Sequence, residues 1–297
     1  MMAAAPETAP VAVVIPTYNH AAFLPAAIRS VLAQKPCPLE IIIVDDGSDD
    51  HPEEAIKTFP GVRLVRQRNA GLSAARNRGV RETSAPFLLF LDADDRLLPG
   101  AIASGLASLA SNPLAALTYG AYDIVDAPTR KVTKVAFRPV PTDAFAAFLA
   151  GNPVGMHGCV LYRRRALEGA GGFREGLSAC EDYELYLRLS RDYPVLCHDD
   201  RCAQYWHHGG NMSRDAAFML RSALRVLRDY REEADRRGHF NAYRAGVAGW
   251  KLFYTGVWAG LVREHRPGAA AMGLKLLRLA PATLIAKACS AALRVIR

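Results

Sequence analysis

The chain has 297 residues, of which 51% are hydrophobic and 22% are charged. This composition is that of a globular protein with a sizeable core, in one large domain or two smaller ones, and it excludes a low-complexity chain. The formal net charge is +8, and residues 238–297 account for all of it, with nine Lys or Arg and one Glu. Because the excess is confined to this C-terminal segment, we do not expect nucleic acid as a partner.

The N-terminal sequence MMAAAPETAPVAVVIP lacks the basic residues and the long apolar core of a signal peptide. The six cysteines form no CxxC pair and no zinc-ligand spacing; they are Cys37, Cys159, Cys180, Cys197, Cys202 and Cys289. We therefore predict reduced thiols in a cytoplasmic protein.

Short apolar runs alternate with amphipathic segments in the first hundred residues. Strands are predicted at 11–16, 39–44, 62–67 and 87–91, and helices at 21–34, about 53–59 and 72–82. This alternation indicates an α/β fold with a mainly parallel sheet flanked by helices. In such a sheet, ligands bind beyond the carboxyl ends of the strands.

The chain is less regular from about residue 112 to 213 and helical afterwards. Strand candidates lie near 115–122, 158–162 and 203–208, and a helix is predicted at about 181–191. From Arg214 onward every segment has helical character. We therefore divide the chain into a domain over 1–213 and a basic helical C-terminal extension over 214–297.

The strand predicted at 87–91 is followed by the acidic sequence DADD. In an extended chain Asp92 and Asp94 point the same way, because side chains alternate with period two. Mg²⁺ or Mn²⁺ binds such carboxylates and completes its coordination with water and substrate phosphates. A solvated turn that caps the next helix is an equally good explanation of these two residues alone.

The strand predicted at 39–44 ends in DDGSDD. Asp45 or Asp46 at this place can accept a hydrogen bond from a uracil ring N–H or from ribose hydroxyls. Asp-Gly is also a turn signal, and Ser48 and Asp49 are good N-cap types, so a structural turn explains part of the motif.

Two further motifs carry groups that suit an anion such as a diphosphate or acid–base chemistry. The stretch NAGLSAARNRG places Arg76 and Arg78 on a helix whose start, near Gly71, favours an anion, although both arginines could be ordinary surface residues. Its spacing is neither a Walker loop nor GxGxxG. Asp182 opens the helix predicted at 181–191, where an acid either stabilises the helix dipole or serves as a general base.

Taken in chain order, these motifs resemble glycosyltransferase family 2, the nucleotide-sugar transferases of GT-A fold. The resemblance covers about 11–213 and rests on VVIPTYNHAAFLPAAIRSVLAQ, EIIIVDDGSDD, NAGLSAARNRG, FLDADD, GGFREGLSACEDYELYLRL and YWHHGGNMS. It implies a Rossmann-like GT-A domain. The implied activity is a metal-dependent, inverting transfer of a sugar from a nucleotide-sugar, UDP-linked by expectation, to an acceptor hydroxyl.

The resemblance also implies a role for individual residues. Asp182 is the expected catalytic base, and Mg²⁺ or Mn²⁺ is expected at Asp94, Asp92 and His208. The expected nucleotide-binding residues are Pro16, Thr17, Tyr18, Asp45, Asp46, Asn69, Gly71, Arg76, Asp92 and Ala93. Trp206 stands where arginine is frequent in the family, which leaves two readings of His208, a ligand of the diphosphate or metal and a buried hydrogen-bonded histidine.

The C-terminal extension has no segment that reads as a membrane span. Residues 245–262 are nearly all apolar, but the run is short and Lys251 and four glycines interrupt it. The basic helices either lie on an anionic membrane surface, with a saccharide or lipid-linked acceptor, or form a solvated cap. A nucleotidyltransferase and a catalytically silent sugar-nucleotide or membrane-binding protein are the rival functions.

Overall fold

The computed structural model describes residues 8–266 and 268–286. Among these residues the chain forms two compact units. One unit, the sheet unit, comprises 8–144 and 153–208. The other, the helical unit, comprises 145–152 and the chain from 209 onward. The domain boundary after residue 213 stays a prediction.

The sheet unit is built on one sheet. Its strands are β1 (Thr8–Thr17), β2 (Cys37–Asp45), β3 (Val62–Arg66), β4 (Phe87–Phe90), β5 (Arg96–Leu97), β6 (Leu117–Asp126), β7 (Lys131–Ala136), β8 (Val160–Arg163) and β9 (Val195–His207). They are ordered β3-β2-β1-β4-β8-β6-β9-β5, and β7 pairs with β6 outside this path. Strands β1 to β4 are mutually parallel, as is the pair β6 and β9, whereas β8 runs antiparallel to both of its neighbours.

The prediction of an α/β fold with a mainly parallel sheet flanked by helices is confirmed. The helices are α1 (Leu24–Leu32), α2 (Pro52–Ile56), α3 (Leu72–Arg81), α4 (Ala101–Ala110), α5 (Ala144–Ala150), α6 (Arg164–Gly169), α7 (Glu181–Asp192), α8 (Ala216–Asp229), α9 (Arg231–Arg236), α10 (Phe240–Arg263) and α11 (Ala269–Leu279). Residues 11–15 at the centre of β1 have no exposed surface. A strand buried on both faces has a continuous apolar sequence, which is why it could be recognised.

Some elements differ from their predicted extent. Strand β9 begins at Val195, well before the predicted residue 203. The prediction missed the first half of this strand because that half is charged and partly exposed and has no apolar run. Strand β7 and helix α4 were not predicted. Strand β7 is exposed along most of its length, so burial imposes no alternating pattern on it.

Close packing of α3 on β1 helps to define the edge of the sheet where the strands end. A Cβ added to Gly79 would lie 2.3 Å from Val14 Cγ1, so only glycine allows the helix to come this near. The C-terminal half of α3 is therefore held closely against β1.

The helical unit has its own apolar core. Its buried members are Ala216, Ala217 and Leu220 of α8, Tyr254 of α10, Leu276 of α11, Ala280 and Leu284. A search of the described residues finds no helix whose length and hydropathy would let it cross a bilayer.

Candidate active site

The ends of β1, β2 and β4 meet at one edge of the sheet. Thr17 lies opposite Asp45 in the register of β1 and β2. The Asp46 N–H donates to the Thr17 carbonyl at 2.9 Å, and the Leu91 N–H donates to the Val14 carbonyl at 3.0 Å. The acidic sequences that follow β2 and β4 therefore leave the sheet on either side of β1, as expected for a ligand site in a parallel sheet.

The carboxylates of Asp45 and Asp46 hold neighbouring loops in place. Asp45 accepts from the Ser48 N–H at 2.8 Å and forms an ion pair with Arg66 at 3.3 Å. Asp46 accepts from the side-chain amide of Gln67 at 2.7 Å and from the N–H groups of Ala70 at 2.9 Å and Gly71 at 2.8 Å. Both acids are buried. Their predicted contact with a base or ribose stays a prediction, and the structure adds a role in shaping the loops around them.

A polar group without a partner lies beside an exposed aromatic ring at the end of β1. Pro16 and Thr17 are buried, and in the part of the chain that the structure describes the Thr17 Oγ1 has no hydrogen-bond partner. Tyr18 follows with 49% of its surface exposed. Asn69, on the loop that Asp46 holds, is also exposed. Tyr18 and Asn69 thus offer an accessible aromatic face and an amide group for hydrogen bonding.

Arg76 lies beneath this edge, not on the surface. It is 1% exposed, and its guanidinium donates to Glu181 and, at 2.8 Å, to Asp92 Oδ1. Burial alone lowers the pKa of Arg76, but the charges of Asp92, Glu181 and Asp182 outweigh it and raise the pKa above its usual value. The surface alternative considered for Arg76 is therefore wrong. Its predicted contact with the nucleotide stays a prediction.

The acidic sequence after β4 spreads its carboxylates in three directions. Asp92 binds Arg76, and Ala93 is buried. Asp94 is hydrogen-bonded to His208 Nε2 at 2.9 Å. Asp95 is 3% exposed and accepts from the Trp206 N–H at 3.0 Å. Burial, and then the charges of Asp94 and Asp92, raise the pKa of Asp95 well above its usual range.

The segment after β9 closes the site against α1. The His208 ring stacks on the Phe23 ring with centroids 5.1 Å apart. On the neighbouring part of the strand, the Arg96 guanidinium lies 3.6 Å from the centroid of the Trp206 ring. His208 is thus held by its hydrogen bond to Asp94 and by the stacked Phe23 ring. The cation beside Trp206 comes from β5.

We tested whether these residues suit a divalent cation. Within residues 8–266 and 268–286, no three His, Cys, Asp or Glu side chains are grouped as a ready-made metal site. Asp94 and His208 are paired, however, and the charges of Asp94 and Asp92 add to burial in raising the pKa of Asp95. Mg²⁺ needs only one or two protein carboxylates when substrate phosphates complete its coordination. The donor set therefore fits a metal that binds together with a diphosphate.

Asp182 lies in the first turn of α7. Burial, and then the charge of Glu181, raise the pKa of Asp182 from its usual 3.8 to about 7, while Arg76 and the Tyr183 N–H act in the opposite direction. The Tyr183 N–H donates to Asp182 Oδ1 at 2.7 Å. A carboxylate with a pKa near neutrality is well suited to remove a proton at physiological pH.

Two contributors to the site were not assigned from the sequence. They are Glu181, which directly precedes Asp182, and Asp95, the last residue of the acidic sequence DADD. Both acids lie directly beside an apolar segment, and this is the signal that could have identified them. An acid that the fold buries needs either a partner or a proton.

The sequence matches the family model "Glycosyl transferase family 2" over residues 12–171. It is 41% identical over 97 residues to the uncharacterized glycosyltransferase YibD of Escherichia coli K12, covering 31% of this chain and 28% of that protein. It is 28% identical over 207 residues to chondroitin synthase of Escherichia coli, covering 68% of this chain and 30% of that protein. The chain thus matches less than a third of either relative.

Two solved structures show the same fold. S. aureus TarS 1-349 in complex with UDP-GlcNAc has a TM-score of 0.63 and 17% identity, covering 93% of this chain and 88% of that one. The mannosyltransferase PcManGT from Pyrobaculum calidifontis, in complex with GDP-Man and Mn²⁺, has a TM-score of 0.60 and 18% identity, covering 96% and 86%. At these identities the likeness concerns the fold, which is GT-A.

Proposed function

Because the chain belongs to glycosyltransferase family 2, we propose that it transfers a sugar from a nucleotide-sugar, with UDP as the carrier, to an acceptor hydroxyl with inversion. One observation carries the proposal. Arg76 pairs with the strand-end acid Asp92 and with Glu181, the residue beside the candidate base Asp182. The candidate base and an acid at a strand end therefore lie close to one buried arginine, which supports sugar transfer from a diphosphate to a hydroxyl.

In the proposed reaction Asp182 removes the proton from the acceptor hydroxyl. The hydroxyl oxygen forms its bond to the anomeric carbon while the bond from that carbon to the diphosphate oxygen breaks. The nucleoside diphosphate leaves with the electron pair, and the configuration at the anomeric carbon inverts. The pKa of Asp182, raised to about 7, allows its carboxylate to be present at neutral pH and still to bind a proton.

Asp94 and His208 would hold Mg²⁺ or Mn²⁺, with Asp92 beside them. The metal, when bound, neutralises charge on the departing diphosphate. The stacked Phe23 ring orients His208, and Arg76 orients Asp92. PcManGT, of the same fold, was solved with Mn²⁺.

The nucleotide would occupy the edge formed by the ends of β1 and β2. The exposed Tyr18 offers a stacking face, and the buried Thr17 hydroxyl offers an unused hydrogen-bonding group. Asp45 and Asp46 fix the loop that carries Asn69 and Gly71. With Pro16 and Ala93 as buried walls, this surface suits a base and ribose.

We propose that the helical unit binds an anionic membrane surface, which would make the protein peripheral on the inner face of the membrane. Leu274 is 70% exposed on α11, and Arg221, Lys275 and Arg278 lie around the same groove as Leu274 and Leu279. Exposed apolar side chains flanked by cations suit lipid headgroups. The acceptor would be a saccharide, lipid-linked where it is assembled at that surface.

The test is release of nucleoside diphosphate from a panel of UDP- and GDP-sugars, with Mg²⁺ or Mn²⁺ and with EDTA. Metal-dependent release that increases with a saccharide acceptor supports the proposal. Release of pyrophosphate from a nucleoside triphosphate and a sugar phosphate would indicate a nucleotidyltransferase instead. Binding of a nucleotide-sugar without turnover, under any metal, would indicate a catalytically silent protein.

A further inference from the structure

The ion pairs of Arg76 connect three separate parts of the sheet unit. Arg76 lies on α3, Asp92 follows β4, and Glu181 begins α7. One Nη donates to Asp92 and the other to Glu181. The side chain of Arg76 is 2% exposed and that of Glu181 is 8% exposed, whereas that of Asp92 is 37% exposed. The guanidinium therefore joins an acid that substrate can reach to one that it cannot.

A buried guanidinium is held tightly because leaving it without partners is costly. Removal of one member of a buried ion pair leaves an uncompensated charge, which is strongly destabilising. The Phe173 ring covers the guanidinium of Arg76, with 5.4 Å between the guanidinium carbon and the ring centroid. Arg76 has little freedom to move, so its charge stays at one place beside the first turn of α7.

We propose that Arg76 and Glu181 are positioning residues: their ion pair holds the first turn of α7, and with it Asp182, against the end of β4 and keeps one charge of each sign close to Asp182. The inference rests on the proposed function in taking Asp182 as the base. It gives the pair a role that neither nucleotide contact nor metal binding requires.

The two members of the pair act on Asp182 with opposite sign. The Glu181 carboxylate raises the pKa of Asp182, and the Arg76 guanidinium lowers it. The other groups that interact electrostatically with Asp182 are Asp92 after β4, Cys180 and Tyr186 of the α7 region, and Tyr162 of β8. None of these side chains is altered in either variant, so the two shifts of the Asp182 titration are compared against the same set of neighbours.

The experiment measures the acidic limb of the pH profile of turnover for Glu181→Gln and Arg76→Met. Nucleoside diphosphate release from the best sugar nucleotide of the panel is the readout. We expect the limb to move to lower pH in Glu181→Gln and to higher pH in Arg76→Met, by about one pH unit each. Arg76→Lys retains the charge and should return the limb toward its wild-type position.

A second readout does not depend on activity. In protein labelled with ¹³C at the aspartate carboxyl groups, the Asp182 signal is assigned by its loss in Asp182→Asn. Its titration should move in the same opposite directions in the two variants. If the titration moves in this way and no sugar transfer is found, the proposed function fails while the electrostatic role of the pair stands.

Glu184→Gln is the matched control. Glu184 is on the same helix, is 2% exposed, and pairs with Arg188 at 2.7 Å. This variant should lose stability and leave the limb and the Asp182 titration unchanged. Unchanged titrations in both Glu181→Gln and Arg76→Met, or shifts in the same direction, would overturn the inference.

Discussion

Replacement of Asp182 by Asn should make the protein more stable above neutral pH and nearly inactive. Asn keeps an Oδ1 that can accept the Tyr183 N–H, as Asp182 does at 2.7 Å. It carries no charge at any pH. The variant therefore removes the cost of a buried carboxylate while leaving the first turn of α7 intact.

The size of the effect follows from the pKa of Asp182, which is raised from 3.8 to about 7 in the folded protein. Between these two pH values the Asp182 carboxyl is deprotonated in the unfolded chain and protonated in the folded protein. The free energy of unfolding therefore falls as the pH rises from the lower value to the higher one. One pH unit corresponds to about 1.4 kcal/mol, so the cost above pH 7 reaches roughly 4 kcal/mol at most. Below pH 4 both proteins are neutral at this position and the difference should vanish.

The assay is urea unfolding of wild type and Asp182→Asn across the range from about pH 4 to pH 8, with turnover measured on the same samples. The free energies of unfolding should diverge as the pH rises, with the variant the more stable, and turnover should fall by about two orders of magnitude or more. A constant difference across this range would mean that Asp182 is an ordinary exposed carboxylate. Near wild-type turnover would mean that it only begins a helix.

Three further predictions concern the ligands. UDP with Mn²⁺ should stabilise the protein by about 2.7 kcal/mol at 100 times its dissociation constant, seen as a higher Tm. Asp94→Ala should abolish the part of this stabilisation that depends on metal. Equal stabilisation in EDTA would show that UDP binding does not involve a metal. Asp45→Ala should weaken UDP binding with and without metal in calorimetric titrations, because the loop closed by the Ser48 N–H loosens; unchanged affinity would argue against a nucleotide at this edge. The full chain should co-sediment with anionic liposomes at low salt and much less at high salt, whereas a chain ending near Gly238 should not; failure of the full chain to bind would leave the basic helices as a solvated cap.

Local sequence patterns were sufficient to predict the strands that are buried on both faces and the acids at their ends. Strand β2 is recognisable because the apolar run of residues 41–44 is local in sequence, and Asp45 and Asp46 follow it directly. The carboxyl ends of parallel strands lie at one edge of the sheet, where ligands bind. These two acids and Asp92 are therefore expected at that edge from the sequence alone. The candidate base Asp182 needed the resemblance as well, since an acid at a helix start has an ordinary structural explanation.

Which charged residues pair with each other could not be predicted from the sequence and is known only from the packed fold. Arg76 binds Glu181, 105 residues away along the chain, and Asp92 on a third element. No periodicity in the sequence distinguishes this buried arginine from Arg78, which is on the same helix and 39% exposed. The pKa of Asp182 depends on the same assembly, because burial and neighbouring charges act through space. Local patterns specify backbone conformation and the face that is buried, whereas a pKa depends on distances that exist only once the strands and helices have packed.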